Sequence, residues 1–223
     1  MRKLVATLTA SVCLFSTFVC VGENAGISTE DAIKSSLQIA KSRYVGLLSR
    51  NVRTESDKVN VGSAFMINCT YMVSNFHLLI ADYRLTDMNG DKKTPIVSVG
   101  MNVEHDVLVL KSNTPNHNLS RIEFAEKVDL GEVLVSYSNA EGTNGFARVY
   151  RVAKLSDTFV FLDQPSLPGE SGSVLLNLKG QFAGLINSTA ASETGERLYG
   201  RAIYPSVVKL TIDKVIPENI DCE

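Results

Sequence analysis

The sequence has no tryptophan, only six prolines, four cysteines and three histidines, and no excess of either charge. Each scarcity removes a class of explanation. With 22 Lys+Arg against 24 Asp+Glu the formal charge is −2, so bulk charge gives no support to a nucleic-acid partner. At 44% hydrophobic and 21% charged residues, the chain is too apolar and too mixed in charge for a disordered polymer. There is no internal repeat and no low-complexity linker. Three histidines, at 77, 105 and 117, leave few candidates for a general base. What is present is an ordinary aromatic load and 15 glycines spread along the chain, typical of a strand-rich fold.

The N-terminus has a different character. Arg2 and Lys3 precede an apolar run from Leu4 to Val21, and small residues follow at Gly22, Ala25 and Gly26. That is the three-part pattern of a secretory signal peptide, with a small residue for cleavage at Gly22 or Ala25. Residues 1–22 are taken as removed and 23–223 as the working chain, the competing reading being an uncleaved membrane anchor. A secreted or periplasmic location follows, with no stable membrane span after cleavage. The mature chain would carry 20 basic and 24 acidic residues, because the signal takes Arg2 and Lys3 and no acid. Cys13 and Cys20 leave with the signal. Cys69 and Cys222 then face an oxidising compartment as one disulfide or as two buried thiols, and the spacing does not choose.

Ser28 and Asp31 form a capping-box variant ahead of Ile33, Leu37 and Ala40, which recur at helical spacing. From Tyr44 onward, short apolar runs alternate with Gly, Asn, Asp and Pro clusters. Eleven strands are expected, beginning at Tyr44, Ser63, Thr70, Ile96, Val107, Val133, Ala147, Phe159, Val174, Phe182 and Gly200. Many lie about ten residues apart, as in all-β sandwiches and barrels. Pro205 to Ile216 suits a closing helix, and the polar stretch Asn113–Asn118 suits a boundary between halves of roughly 44–115 and 116–204.

Three short segments carry chemistry. In Gly169-Glu170-Ser171-Gly172-Ser173, a serine between glycines exposes its hydroxyl, and the N–H groups of Gly169 and Ser171 can converge on one point as an oxyanion hole requires. Val73-Ser74-Asn75-Phe76-His77 supplies an imidazole after a strand, the usual base for a serine nucleophile. Glu104-His105-Asp106-Val107 supplies a carboxylate at a strand start, suited to orienting that imidazole. Each alone is weak, since loops, core histidines and turn-capping aspartates are common. Together they stand in the order His77, Asp106, Ser171, which differs from α/β-hydrolases and subtilisins and agrees with chymotrypsin. His117 sits in a polar loop and reads as solvated.

These segments resemble trypsin-like serine proteases. Gly62–Ile67 followed by Val73–His77 resembles the approach to the catalytic histidine, His105–Lys111 the aspartate strand, and Pro168–Ser173 the nucleophile loop. Gly180–Asn187 resembles the next hairpin. Tyr199-Gly200-Arg201-Ala202-Ile203-Tyr204-Pro205 resembles the ending of the bacterial HtrA-like branch. The resemblance covers roughly residues 44–216. It implies an all-β double barrel of the chymotrypsin type, with a helix at either end, and a site between the barrels. It implies a catalytic triad of His77, Asp106 and Ser171, an oxyanion hole at Gly169 and Ser171, and no metal or cofactor. Protein or peptide substrates would be cleaved through an acyl-enzyme. Pro165 and Ser166 would wall the primary pocket on one side, and Ile186, Asn187 and Ser188 on another. No acid lies at the expected pocket base, so a preference for Arg or Lys is not expected; a small or medium apolar side chain is. Glu193 and Glu196 read as solvated surface charges.

There are departures. Ser173 replaces the family's usual Gly, and Val174 its usual Pro or Ala. The stretch after the closing helix is too short for the PDZ domain that usually follows in the HtrA-like branch, and no Ile-Val-Gly-Gly start appears, so activity is expected to need only signal removal. The competing reading is a protease-fold binding protein without turnover.

Overall fold

The computed structural model describes residues 28–51, 59–79, 83–87, 94–143 and 145–216. The expected signal segment and Cys222 lie outside them. Cys69 is buried and disulfide-bonded.

Helix α1 spans Thr29–Arg43. The Ser28 hydroxyl accepts from the Asp31 N–H at 3.1 Å and donates to its carboxylate at 2.7 Å, which closes the expected cap. Ile33, Leu37 and Ala40 line the face that packs on the core. Thirteen strands follow among the described residues. In the first half these are β1 (Tyr44–Asn51), β2 (Val59–Met66), β3 (Tyr71–Asn75), β4 (Tyr83–Asp87), β5 (Thr94–Pro95), β6 (Val97–Asn102) and β7 (Val107–Lys111). The second half holds β8 (Val133–Ser138), β9 (Phe146–Leu155), β10 (Phe159–Leu162), β11 (Val174–Asn177), β12 (Phe182–Ala191) and β13 (Arg197–Ile203), and helix α2 (Pro205–Asp213) closes the fold. All eleven expected strands are found. β4 and β5 were not expected, because Tyr83–Asp87 holds no apolar run, only Tyr83 and Leu85 among polar residues, and Thr94–Pro95 is only two residues long.

The second half is a closed six-stranded barrel in the order β10-β13-β12-β11-β8-β9. The first half is a seven-stranded sheet in the order β5-β4-β1-β2-β3-β7-β6, with β5 and β6 as its edges. The all-β, double-barrel architecture with terminal helices is therefore present, and among the described residues backbone pairing closes the second half. Each half has its own interior. Leu47, Met72, Leu108 and Leu110 fill the first; Leu134, Tyr150, Leu162, Leu175 and Ile186 fill the second. A third cluster joins them: Phe65, Val73, Val107 and Val109 from the first half meet Val135, Val174, Phe182 and Ile203 from the second, with α1 and α2 packed against it. Burial of this shared apolar surface fixes the halves against each other. The site lies along that seam.

Candidate active site

His77 sits in a single 3-10 turn, Phe76–Leu78, that ends β3. Asp106 precedes β7, the strand paired with β3, so sheet register alone brings the two together. His77 Nδ1 lies 2.6 Å from Asp106 Oδ2, and the His77 backbone N–H donates to Asp106 Oδ1 at 2.7 Å. The aspartate is held on its backbone side as well. Its carbonyl accepts from the Phe76 N–H at 3.2 Å and from Asn75 Nδ2 at 3.1 Å. It adopts φ of 56°, a left-handed conformation rare outside glycine and characteristic of strained functional positions. The imidazole is 46% exposed and the carboxylate 21%, so a substrate can reach the ring while the acid stays partly covered.

Ser171 comes from the other half, on the turn between β10 and β11. Its hydroxyl donates to the Asn187 carbonyl at 3.4 Å. Asn187 Nδ2 donates to Asp106 Oδ2 at 2.5 Å. One residue of β12 therefore touches both the serine and the aspartate. No bond between Ser171 and His77 is formed among the described residues. Nucleophile and base are commonly further apart without substrate than during reaction.

The turn itself is tightly specified. Gly169 has φ of 90° and Gly172 has φ of 83°. A Cβ at Gly172 would fall against the Ser63 carbonyl oxygen and the Ser74 hydroxyl, so no other residue fits without displacing backbone. The Gly169 and Ser171 N–H groups have no hydrogen-bond acceptor among the described residues, while their neighbours are paired: Glu170 N–H to Leu167 O, Gly172 N–H to Ile186 O and Ser173 N–H to Glu170 O. Ser173 uses its extra hydroxyl to bond the Glu170 carbonyl at 2.7 Å, which tightens the turn rather than disturbing it. Ser63 on β2 ties the turn to the first half. Its N–H donates to Ser171 O at 2.8 Å, and its hydroxyl donates to Gly169 O at 2.8 Å while accepting from the Asn139 N–H at 2.9 Å.

The expected pocket residues lie beside this turn. Ser166 and Thr189 hydroxyls meet at 2.6 Å, and the Thr189 hydroxyl also donates to the Ser166 carbonyl at 2.8 Å. Arg197 donates to that same carbonyl. Pro165 O accepts from Arg148 at 3.1 Å. Ser188 lies at 3.1 and 2.9 Å from two nitrogens of Arg201, and Ile186 is fully buried in the barrel interior. Asn187 directs its side chain to Asp106, as above. His105 is half-buried beside Asn102, and His117 is exposed.

Sequence reasoning assigned no role to Ser63, Asn139, Thr189, Arg148 or Tyr150. For the last two a signal existed. Arg148, Tyr150 and Val152 alternate along β9, which points all three to one face, and that face is the barrel interior. An arginine there requires an acid nearby. The acid is Glu170, whose side chain is 0% exposed and lies 2.9 Å from Arg148. Burial first, and the Glu170 carboxylate second, push the Tyr150 phenol well above its usual range, so it remains an O–H donor.

No protein-family model matches the chain. Among curated proteins it is similar to a probable periplasmic serine endoprotease, DegP-like, of Chlamydia pneumoniae, 23% identical over 78% of this chain and 38% of the relative. It is also similar to one of the same description from Pseudomonas putida, 27% identical over 61% of this chain and 30% of the relative. The chain thus spans less than two-fifths of the length of these relatives. Among solved structures it resembles the HtrA-type protease AlgW with tripeptide, at TM-score 0.66 and 21% identity over 83% of this chain and 64% of that one. A protease of M. tuberculosis in its active form matches at TM-score 0.71 and 18% identity, over 96% of this chain and 93% of that one. The fold is that of the trypsin-like serine proteases. Within that class, the likeness in both sequence and structure runs to the HtrA-type, DegP-like branch.

Proposed function

We propose that this chain is a serine endopeptidase of the secreted or periplasmic space, cleaving protein or peptide substrates with His77, Asp106 and Ser171. The observation that carries this reading is the 2.6 Å His77–Asp106 bond set across the seam from a serine whose own turn leaves two N–H groups unspent. The periplasmic assignment draws on the N-terminal signal pattern and on the names of the curated relatives.

The chemistry follows from the geometry. Asp106 accepts the Nδ1–H of His77, which leaves Nε2 free to take a proton. The reaction requires Ser171 Oγ to turn from the Asn187 carbonyl to that nitrogen. The oxygen attacks the scissile carbonyl carbon and its proton passes to His77. The oxygen of the tetrahedral intermediate falls between the N–H groups of Gly169 and Ser171, donors of the kind whose individual loss costs about 10²–10³ in rate. Collapse expels the amine, which takes the proton from His77, and water then resolves the acyl-enzyme by the same route. Asn187 steadies Asp106 by donating to Oδ2, the same oxygen that meets the imidazole.

The pocket is shallow in this reading. Its walls at Pro165–Ser166, Ile186–Ser188 and Gly200 are drawn together, with Thr189 hydrogen-bonded directly across to Ser166 and the Gly200 N–H bonded to Gln164 O at 2.9 Å. A small side chain fits such a pocket at the scissile position.

Labelling with a fluorophosphonate probe tests the reading, with wild type beside Ser171→Ala. Labelling confined to the wild type is expected. A folded wild-type protein that resists the probe, or a Ser171→Ala variant that labels equally, would refute it.

A further inference from the structure

Glu170 stands between the two residues whose amides are assigned to the oxyanion. A fully buried carboxylate is tolerated only when paired and hydrogen-bonded. Here one oxygen, Oε2, receives three donors: Arg148 Nη1 at 2.9 Å, the Tyr150 O–H at 2.8 Å and the Leu167 N–H at 2.5 Å. The other, Oε1, has the Ser138 hydroxyl at 3.5 Å. Arg148 is itself only 13% exposed. Its second terminal nitrogen donates to Gln164 Oε1 at 2.8 Å, its first also donates to Pro165 O at 3.1 Å, and its guanidinium lies 4.7 Å from the centroid of the Tyr150 ring. Arg148 and Tyr150 stand two residues apart on β9, inside a closed barrel, opposite Ser136 and Leu134 of β8. Their positions are fixed by the barrel rather than by the loop they hold.

We infer that Arg148 and Tyr150 are positioning residues that clamp Glu170 and thereby set the Gly169–Ser171 turn with both amides directed at the oxyanion. This rests on the endopeptidase reading and deepens it. Glycine at 169 and at 172 makes the turn easy to re-fold locally, since peptide planes beside glycine rotate with little steric resistance. With Glu170 anchored at its carboxylate by three donors, a rotation of the 170–171 peptide, which carries the Ser171 N–H, works against a buried charge held in place, and the Leu167 N–H bond to the same carboxylate restrains the chain leading into the 168–169 peptide, which carries the Gly169 N–H. The cation that anchors it is a side chain of the barrel, so the turn is set on folding and requires no newly cut chain end. The Leu167 N–H bond extends the same carboxylate to the start of the turn, and the Gln164 and Pro165 contacts join the pocket wall to it. One guanidinium thus couples the pocket to the oxyanion donors.

The test uses the full chain with fluorophosphonate labelling rates and steady-state kinetics on a peptide ester. Arg148→Met is expected to lower the labelling rate by ~10²-fold or more, the scale of a lost oxyanion donor. Arg148→Lys, which keeps the charge and loses the fork, should fall between Arg148→Met and wild type. Tyr150→Phe, which touches neither pocket residue, should lower kcat several-fold with KM unchanged, the mark of an interaction felt in the transition state. Because Arg148→Met leaves a buried charge unpaired and so weakens folding itself, the charge-free double variant Arg148→Met/Glu170→Gln is measured beside it. Its circular dichroism should be native and its labelling still slow. Wild-type labelling by a folded Arg148→Met, or by the double variant, overturns the clamp while leaving the endopeptidase reading intact. A wild type that fails to label overturns both.

Discussion

The two halves of this molecule hold their chemical groups in opposite ways. The first half presents His77 and Asp106 at the ends of paired strands, with the imidazole nearly half exposed and the aspartate in a left-handed backbone conformation. The second half presents Ser171 on a turn held by bonds at Glu170, Gly172 and Ser173, down to a carboxylate with no exposure at all. The proposed base is placed by sheet register and left accessible. The proposed nucleophile is placed by a buried polar network beside a closed barrel. The contrast matches the work proposed for each group. A proton carrier must reach substrate, leaving group and water in turn, whereas oxyanion donors act only if they do not reorganise.

Four substitutions probe that contrast. The largest effect is expected of Ser171→Ala, which should abolish turnover by about 10⁴-fold or more while leaving the thermal melt near wild type, since the hydroxyl's one bond is long. Next is Gly172→Ala. The new methyl meets the Ser63 carbonyl from the other half at a left-handed φ, and a loss of about 2–5 kcal/mol is expected in urea unfolding. A melt unchanged from wild type would show that the halves are not wedged together at this point. Ser63→Ala leaves the buried Asn139 N–H and Gly169 O without their shared partner. It should cost about 1–3 kcal/mol and slow fluorophosphonate labelling as well, because the lost bonds end on the nucleophile turn. The smallest is Thr189→Gly, which removes the bond across the pocket. A shift of about tenfold in kcat/KM toward larger side chains at the scissile position is expected, roughly the value of one or two methylenes in a pocket. An unchanged side-chain profile would place the pocket wall elsewhere.

Much of the fold and of the site is legible in the residues alone. Eleven strands announce themselves by short apolar runs between turn residues, and α1 by the Ser28–Asp31 cap and its Ile33, Leu37, Ala40 spacing. Those signals are local: period, cap and turn chemistry act over a few residues. His77, Asp106 and Ser171 are legible because their types are chemically rare in that order and their flanks are short motifs. β4 and β5 escape notice because charged residues interrupt the apolar pattern in one and the other is only two residues long.

The contacts that hold the reactive groups in place are of a different kind. Glu170 is visible as a letter in the nucleophile segment, yet nothing local says that its partner is Arg148, 22 residues away on another strand. Ser63 reaches Gly169 across 106 residues, and Asn187 reaches Asp106 across 81. Asn187, expected at the pocket wall, also carries its amide onto the aspartate. Such pairings depend on barrel closure and on the apolar seam that joins the halves. A hydrogen bond between distant residues forms only when packing has already brought them within about 3 Å. Local pattern in the chain therefore sets the elements, the order of the reactive residues and the class of chemistry they suit. Closure of the barrel, which brings distant strands together, selects the buried groups that hold them still.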